Sequence, residues 1–353
     1  MNTPNPTSPH GRGTGFTGAS RFSREEIILD PGENEERIKT RYFHDHAVSI
    51  INPINSPDLS LAAGLNPYRG CEHGCSYCYA RPSHGFFGLS SGLDFETQIF
   101  VKANAPELLR KELCRPSYVP LCLMLSGIAD CYQPVEKKLE LTRRCLAVLA
   151  ESRHPVMIIT KNHLVTRDID HLTELAKYNA ASVCLSVTTL DSDLARELEP
   201  RASSPRLRLQ AVRELAEAGV PVGVSLAPVI PGLNDHEMLS ILSAAAEAGA
   251  KFAFYTVLRL PYEVAEIFTD WLREHRPLAV EKVLRGIKEL HGGRIYDPTP
   301  GTRMMGQGPA AERMRKLFEI GRRRAGFTQR VPDLSITSFR RPESADGQFS
   351  LGL

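Results

Sequence analysis

The 353-residue chain has little of what would place it in several large classes of protein. No uninterrupted apolar run approaches the roughly 20 residues needed to cross a bilayer, so a membrane role is not expected. The opening stretch, MNTPNPTSPHGRGTG, lacks the apolar core of a secretory signal, and export is not expected either. There is almost no excess of charge of one sign: 43 Lys and Arg face 41 Asp and Glu, for a formal charge of +2, which gives no global attraction to nucleic acid. Basic residues interleaved with aromatics, the mark of a single-strand groove, are missing too, so a nucleic-acid partner is only weakly supported. The one basic stretch is C-terminal, with Arg322, Arg323, Arg324, Arg330, Arg340 and Arg341, and it reads first as a solvated helix end and tail. Eight cysteines in a chain of this length do not make a disulfide scaffold. An apolar fraction of 42% with 24% charged residues is that of a soluble globular protein able to bury one large core.

What is present is a cluster of three cysteines, Cys71, Cys75 and Cys78, in the run CEHGCSYC at the exit of an apolar segment. The spacing C-x3-C-x2-C lets three thiolates converge from one short loop on three irons of a [4Fe-4S] cube, leaving the fourth iron without a protein ligand. An iron left open in this way is a place to bind a substrate. The competing reading is a zinc site, which closes with four ligands and shows paired cysteines at both ends of its motif. No second pair exists here, and His73, a conceivable fourth ligand, lies between two of the cysteines. Three clustered thiolates need a reducing compartment, which points to the cytoplasm.

With Tyr77 as the aromatic residue, C-x3-C-x-(aromatic)-C resembles the signature of radical S-adenosylmethionine (radical SAM) enzymes. The flanking runs Asn66-Pro67-Tyr68-Arg69-Gly70, Tyr79-Ala80-Arg81-Pro82-Ser83-His84 and Gly92-Leu93-Asp94-Phe95-Glu96 are similar to the branch related to spore photoproduct lyase, often labelled "DNA repair photolyase". The likeness covers roughly residues 40–310. It implies a [4Fe-4S] cluster, S-adenosylmethionine, and an external reductant such as flavodoxin or ferredoxin. The implied chemistry is reductive cleavage of S-adenosylmethionine to a 5'-deoxyadenosyl radical that abstracts hydrogen from an unidentified substrate, a DNA photoproduct being the first candidate. The alternatives are modification of RNA or protein, and a non-catalytic iron-sulfur electron carrier or redox sensor.

The pattern along the chain predicts a disordered tail over 1–22, an N-terminal arm over 23–58, a core over 59–293 and a C-terminal extension over 294–353 that covers the mouth of the core. In the core, strand-like runs alternate with helical segments: strands are expected at Leu59–Leu65, Leu121–Gly127, Val156–Thr160, Ser182–Val187, Val222–Pro228 and Phe252–Leu258. Helices are expected at Val135–Ser152, Thr166–Tyr178, Pro205–Ala218, Glu237–Glu247 and Tyr262–Leu290, with Gly219 and Gly249 as C-caps. The later strands are nearly continuous in Val, Ile, Leu and Ala, as strands buried on both faces are. The fold class is therefore α/β, and the resemblance implies an open six-stranded parallel (β/α)6 partial barrel with its chemistry at the C-terminal strand ends.

Polar residues at those ends become candidates. Ser126 and Asp130, after the second strand, are expected near the methionine amino group of the cofactor; Asp130 can equally cap the helix near Val135. Lys161 is expected to pair with the cofactor carboxylate. Ser186 suits the ribose or methionine moiety, and Val229 the adenine. Tyr77 completes the cofactor set. Cys131 is a candidate hydrogen donor, although a buried structural thiol is the stronger reading. Arg201, Arg206, Tyr296, Arg303 and the Met304–Gly308 loop are weaker substrate-side candidates, and no catalytic residue is assigned.

Overall fold

A computed structural model of the protein describes residues 9, 11–15, 38–59, 63–328 and 331–343. Its strands are β1 (Arg41–His44), β2 (Ile51–Pro53), β3 (Ala63–Leu65), β4 (Tyr68–Arg69), β5 (Gln98–Val101), β6 (Leu123–Leu125), β7 (Val156–Thr160), β8 (Ala181–Ser186), β9 (Val222–Val229) and β10 (Phe252–Val257). The main sheet has the order β10-β9-β8-β7-β6-β3-β2. All neighbours pair in parallel except β2, which runs antiparallel to β3 at one edge. The Val- and Leu-rich runs of β7, β8 and β9 are buried along nearly their whole length because helices cover one side and the sheet's own interior the other. Each parallel strand is reached through a crossover, so all the strand exits lie along one edge of the sheet.

The expected strands are found within a few residues of their predicted bounds, residues 60–62 of the first lying outside the described residues, and Gly219 and Gly249 take the left-handed backbone expected of helix ends, with φ of +80° and +99°. Two long helices are instead broken. The segment expected as Val135–Ser152 divides into Glu136–Leu139 and Leu141–Ser152, because the Glu136 carboxylate accepts the amides of Thr142 and Arg143 and so caps the second piece from the first. Tyr262–Leu290 divides into Val264–His275 and Val280–Leu290 at Arg276–Pro277, where proline cannot donate the backbone bond that would continue a helix.

A second, three-stranded sheet of order β1-β5-β4 was not anticipated. Its strands are two to four residues long and carry no alternation strong enough to read from sequence. Gly11–Gly15, inside the stretch expected as a disordered tail, are placed, and Arg12, Gly13 and Thr14 are buried.

Of the C-terminal extension expected over the strand exits, segment 331–343 lies elsewhere, and residues 344–353 fall outside the described residues. Segment 331–343 runs across the opposite edge: the Ser335 amide donates to Asn179 O (2.9 Å), the Arg340 amide to Ser152 O (3.0 Å), and Arg341 Nη2 to Pro116 O (2.7 Å). These acceptors precede β8, β7 and β6, and Phe339 packs edge-on against His154 there. Side-chain bonds thus commit Arg340 and Arg341 to the protein itself. Arg303 is committed as well. Its Nε pairs with Asp58 and its Nη2 with Ser56 Oγ, while its short helix, Thr302–Met305, packs on β10. The unpaired edge at β10 is thereby tied to the β2–β3 connection. Among the described residues no helix is long and apolar enough to cross a membrane.

Candidate cofactor site

The cysteine loop leaves the exit of β3 through β4 and is held by backbone bonds on both sides. Cys71 N donates to Phe95 O (2.9 Å), and Ser76 N to Leu198 O (3.0 Å). Arg81, fully buried, clamps the loop from behind: Nε donates to Cys75 O (2.9 Å), Nη1 to Gly92 O (2.9 Å), and Nη2 to Glu96 Oε1 (2.5 Å). All three cysteines are free thiols. Burial pushes the Cys71 thiol well above its ordinary range, helped by Asp130 and by the neighbouring Cys75 and Cys78, and burial likewise pushes up Cys75. Thiols raised in this way stay protonated unless a cationic centre among them favours the thiolate, as the irons of a cluster would. Among the described residues no three His, Cys, Asp or Glu side chains gather on a single ion. A cube asks for something different, with each thiolate on its own iron. His73 faces away from a ligand role. Its Nδ1 lies 3.4 Å from Asp130 Oδ2 and its Nε2 3.3 Å from Asn162 Nδ2.

Asp130 is saturated by the protein. It accepts from Thr160 Oγ1 (2.7 Å), the Lys161 amide (2.8 Å) and the Tyr132 amide (2.9 Å), besides facing His73. It therefore ties the exits of β6 and β7 to the cysteine loop. It does not cap the helix near Val135, whose amide is taken by Glu72 Oε2 (2.7 Å). Burial raises the carboxyl, but His73, the Lys161 amide and the Thr160 hydroxyl outweigh it and hold Asp130 at about 2. A carboxylate depressed in the fold from 3.8 stabilises it fully above the unfolded value and ceases to as pH falls through the folded one. At about 1.4 kcal/mol per pH unit, Asp130 contributes about 2 kcal/mol that is lost between roughly pH 5 and pH 2. In acid titrations of urea stability Asp130→Asn is expected to flatten that part of the curve; an unchanged slope would contradict it.

Lys161 follows β7, and its ammonium sits 5.8 Å from the centre of the Tyr77 ring. Burial would strip the proton from it, but Glu199 and Cys75 reverse the effect and hold Lys161 above its ordinary value. Glu199 is the unforeseen centre of this side. It accepts from Tyr77 Oη, from Thr188 Oγ1 (2.6 Å) and from Arg208 Nη2, with Glu199 and Arg208 both essentially inaccessible to solvent. Burial pushes this carboxyl up, yet Arg208 and Lys161 bring it down to about 2. Arg208 also donates to Ser186 O (3.0 Å) and Ser203 O (2.7 Å). The sequence offered a weak signal, an Arg on the buried face of an amphipathic helix; its neighbour Arg206 drew the attention instead.

The remaining candidates take these places. Tyr77 is buried, its phenol kept protonated by burial and by Glu199. Ser126, in left-handed backbone at φ +84°, accepts the Cys131 amide on Oγ (2.7 Å). Ser186 is buried at the end of β8 beside Ser225 of β9. Val229 ends β9, followed by a turn that Asn234 fastens by accepting the Ile230 amide (2.6 Å) and donating to Thr188 O (2.8 Å) and Pro228 O (3.0 Å). Tyr77 and Lys161 thus face Glu199, which Arg208 links to the Ser186 carbonyl, while Asp130 holds the Lys161 amide and Ser126 the Cys131 amide. Cys131 is 1% exposed within the main core, as a structural thiol would be. Tyr79, next to Cys78, is half exposed: its hydroxyl donates to Gly127 O (2.8 Å) and the Arg259 guanidinium lies 4.3 Å over its ring.

The cysteine loop thus lies at the strand exits of a parallel α/β sheet, with the partly buried Lys161 beside it. The profile of the radical SAM superfamily matches residues 65–245, and the chain belongs to that family. An uncharacterized protein of Mycobacterium tuberculosis, Rv2578c, is 34% identical over 71% of this chain and 73% of its own length. A radical SAM Nalpha-GlyT isomerase of Pseudomonas phage M6 is 28% identical over 51% of this chain and 36% of its own. Among solved structures, spore photoproduct lyase with bound AdoMet and dinucleoside spore photoproduct superposes with a TM-score of 0.63 at 14% identity, over 88% of each chain. That likeness is one of fold. Members of the superfamily use a [4Fe-4S] cluster and S-adenosylmethionine.

Proposed function

We propose that Cys71, Cys75 and Cys78 hold a [4Fe-4S] cluster and that Lys161, Tyr77, Ser186 and Val229 bind S-adenosylmethionine over it, in an open partial barrel. The observation that carries this reading is the ammonium of Lys161, partly buried at the exit of β7, 5.8 Å from the Tyr77 ring centre and kept charged by Glu199 and Cys75, where a carboxylate-bearing ligand would pair with it. When bound, the cluster and cofactor supply one-electron cleavage to a carbon radical able to abstract hydrogen. The chain's own part is binding, orientation and exclusion of water. Glu199 and Arg208 fix the Tyr77 side, and Asp130 fixes the loop against β7.

The substrate we propose is a damaged base in nucleic acid, processed by a lyase. Tyr79, half exposed with Arg259 across one face, offers the kind of aromatic and cationic surface on which a base stacks. The dinucleoside in the spore photoproduct lyase structure supports the same class. A reductant protein would deliver the electron.

Anaerobic reconstitution with iron and sulfide, then dithionite and S-adenosylmethionine, is expected to yield 5'-deoxyadenosine. Cofactor affinity in Lys161→Ala is expected to fall at least about tenfold, from loss of a charge-assisted pair with the cofactor carboxylate. Protein that keeps its cluster but binds no S-adenosylmethionine would instead favour an electron carrier or redox sensor. Cleavage without conversion of a dinucleoside photoproduct would leave the cofactor reading standing and remove the substrate.

A further inference from the structure

We propose that residues 11–14 form one wall of the cluster cradle, locking the Gly74 peptide between the first two cysteines, a role that rests on the cluster reading above. Four observations converge on this. Arg12, 9% exposed, forks between two parts of the chain, donating from Nη2 to Ile38 O (2.7 Å) and Thr40 Oγ1 (3.1 Å) and from Nη1 to Glu96 O (3.2 Å). The Gly13 amide donates to Glu96 Oε2 (3.0 Å). The other oxygen of that carboxylate receives Arg81, which in turn holds Cys75 O. A buried chain of contacts therefore runs from Gly13 through Glu96 and Arg81 to the backbone of the second cysteine.

The fourth observation is steric. A Cβ on Gly13 would stand 1.5 Å from the Gly74 carbonyl oxygen, so the two backbones touch with no room for a side chain. Gly74 has φ +68°, and a Cβ there would meet Glu96 Oε2 at 2.7 Å. Contact this close excludes water from the back of the loop. Behind it, Arg201 shares the Thr40 hydroxyl with Arg12 and pairs with Glu72 (3.1 Å), so Glu72, Arg201, Thr40 and Arg12 form a continuous row of polar contacts. Residues next to metal ligands act by fixing the ligands' geometry, and their loss typically weakens metal retention about 10- to 100-fold. Arg12 and Gly13 are positioning residues in this sense.

The test uses full-length protein, reconstituted without oxygen, comparing wild type with Gly13→Ala, Arg12→Ala, Arg12→Lys and the exposed control Lys39→Ala. Iron loss to a ferrous chelator and the electron paramagnetic resonance line shape of the reduced cluster are read, with circular dichroism confirming the fold. Gly13→Ala and Arg12→Ala are expected to release iron at least about tenfold faster and to broaden the signal; Arg12→Lys should recover little, since one ammonium cannot reach three acceptors. The control should match wild type. Rates within twofold of wild type for both Gly13→Ala and Arg12→Ala would overturn the proposal. Should those variants not fold, hydrogen exchange on wild type decides: cluster loading is expected to slow exchange of the amides of residues 11–14, and unchanged exchange overturns it. Wild type that takes up no iron would fail at the cluster reading itself, a different result from a cluster indifferent to Arg12 and Gly13.

Discussion

Replacing Cys71, Cys75 and Cys78 together by alanine is expected to take the iron content of the anaerobically reconstituted protein from about four per chain to background. The charge-transfer absorption of the cluster and all formation of 5'-deoxyadenosine should go with it. The size of the effect follows from the surroundings of the loop. Cys71 is buried, its thiol pushed far up by burial and by Asp130, and nothing beside it offers a substitute thiolate. His73 cannot step in, because both its ring nitrogens face Asp130 and Asn162. Single replacements should already lose most of the iron, since two thiolates cannot hold a cube that three were placed to hold. Cys145→Ala serves as the comparison: that thiol is buried in the main core, and its loss should leave iron content unchanged. Iron retained at wild-type level in the triple variant would end the cluster assignment.

Arg208→Met is expected to cost about 3–5 kcal/mol of stability, the second large effect. The pair it breaks is buried, and truncating one partner leaves the Glu199 carboxylate in the interior facing Tyr77 and Thr188. Lys161 is then the nearest remaining cation. Its ammonium would be drawn toward Glu199, so cofactor affinity should fall together with stability, although Arg208 lies behind the site. Adding Glu199→Gln to Arg208→Met removes the stranded charge and should restore a large part of the loss, because the pair taken as a whole is worth little compared with one partner left alone. Urea unfolding of the two variants checks this. A single variant within about 1 kcal/mol of wild type would show that Glu199 has other means of staying charged.

The cysteine spacing and the strands were legible because each is written locally. Val156–Thr160 is an apolar run that admits one reading, and β7 has those bounds. Lys161 was found the same way, as the residue where the run stops. Glu199 and Arg208 were not, since what makes them matter is a contact between a loop after β8 and the next helix, and neither residue is unusual in its own surroundings. The short β1, β4 and β5 were missed for a related reason. Two to four residues cannot display a period, and they are strands only because they pair across gaps of about 30–60 residues. Arg12 is the extreme case: it lies in a run of Pro, Gly and Thr with every local sign of a tail, and its side-chain partners Ile38, Thr40 and Glu96 lie 26, 28 and 84 residues on.

The segment 331–343, lying over the starts of β6, β7 and β8, has a consequence for biosynthesis. Every cysteine of the loop, together with Lys161, Glu199 and Arg208, leaves the ribosome well before the residues that clasp the floor of the sheet, so the nascent chain passes through a stage with its mouth complete and its underside bare. At that stage Tyr118 and His154 lack their Phe339 neighbour, and the beginnings of three parallel strands lie open to other chains. Synthesis halted just short of residue 331 would therefore give a species that can acquire iron yet is prone to aggregate through its underside.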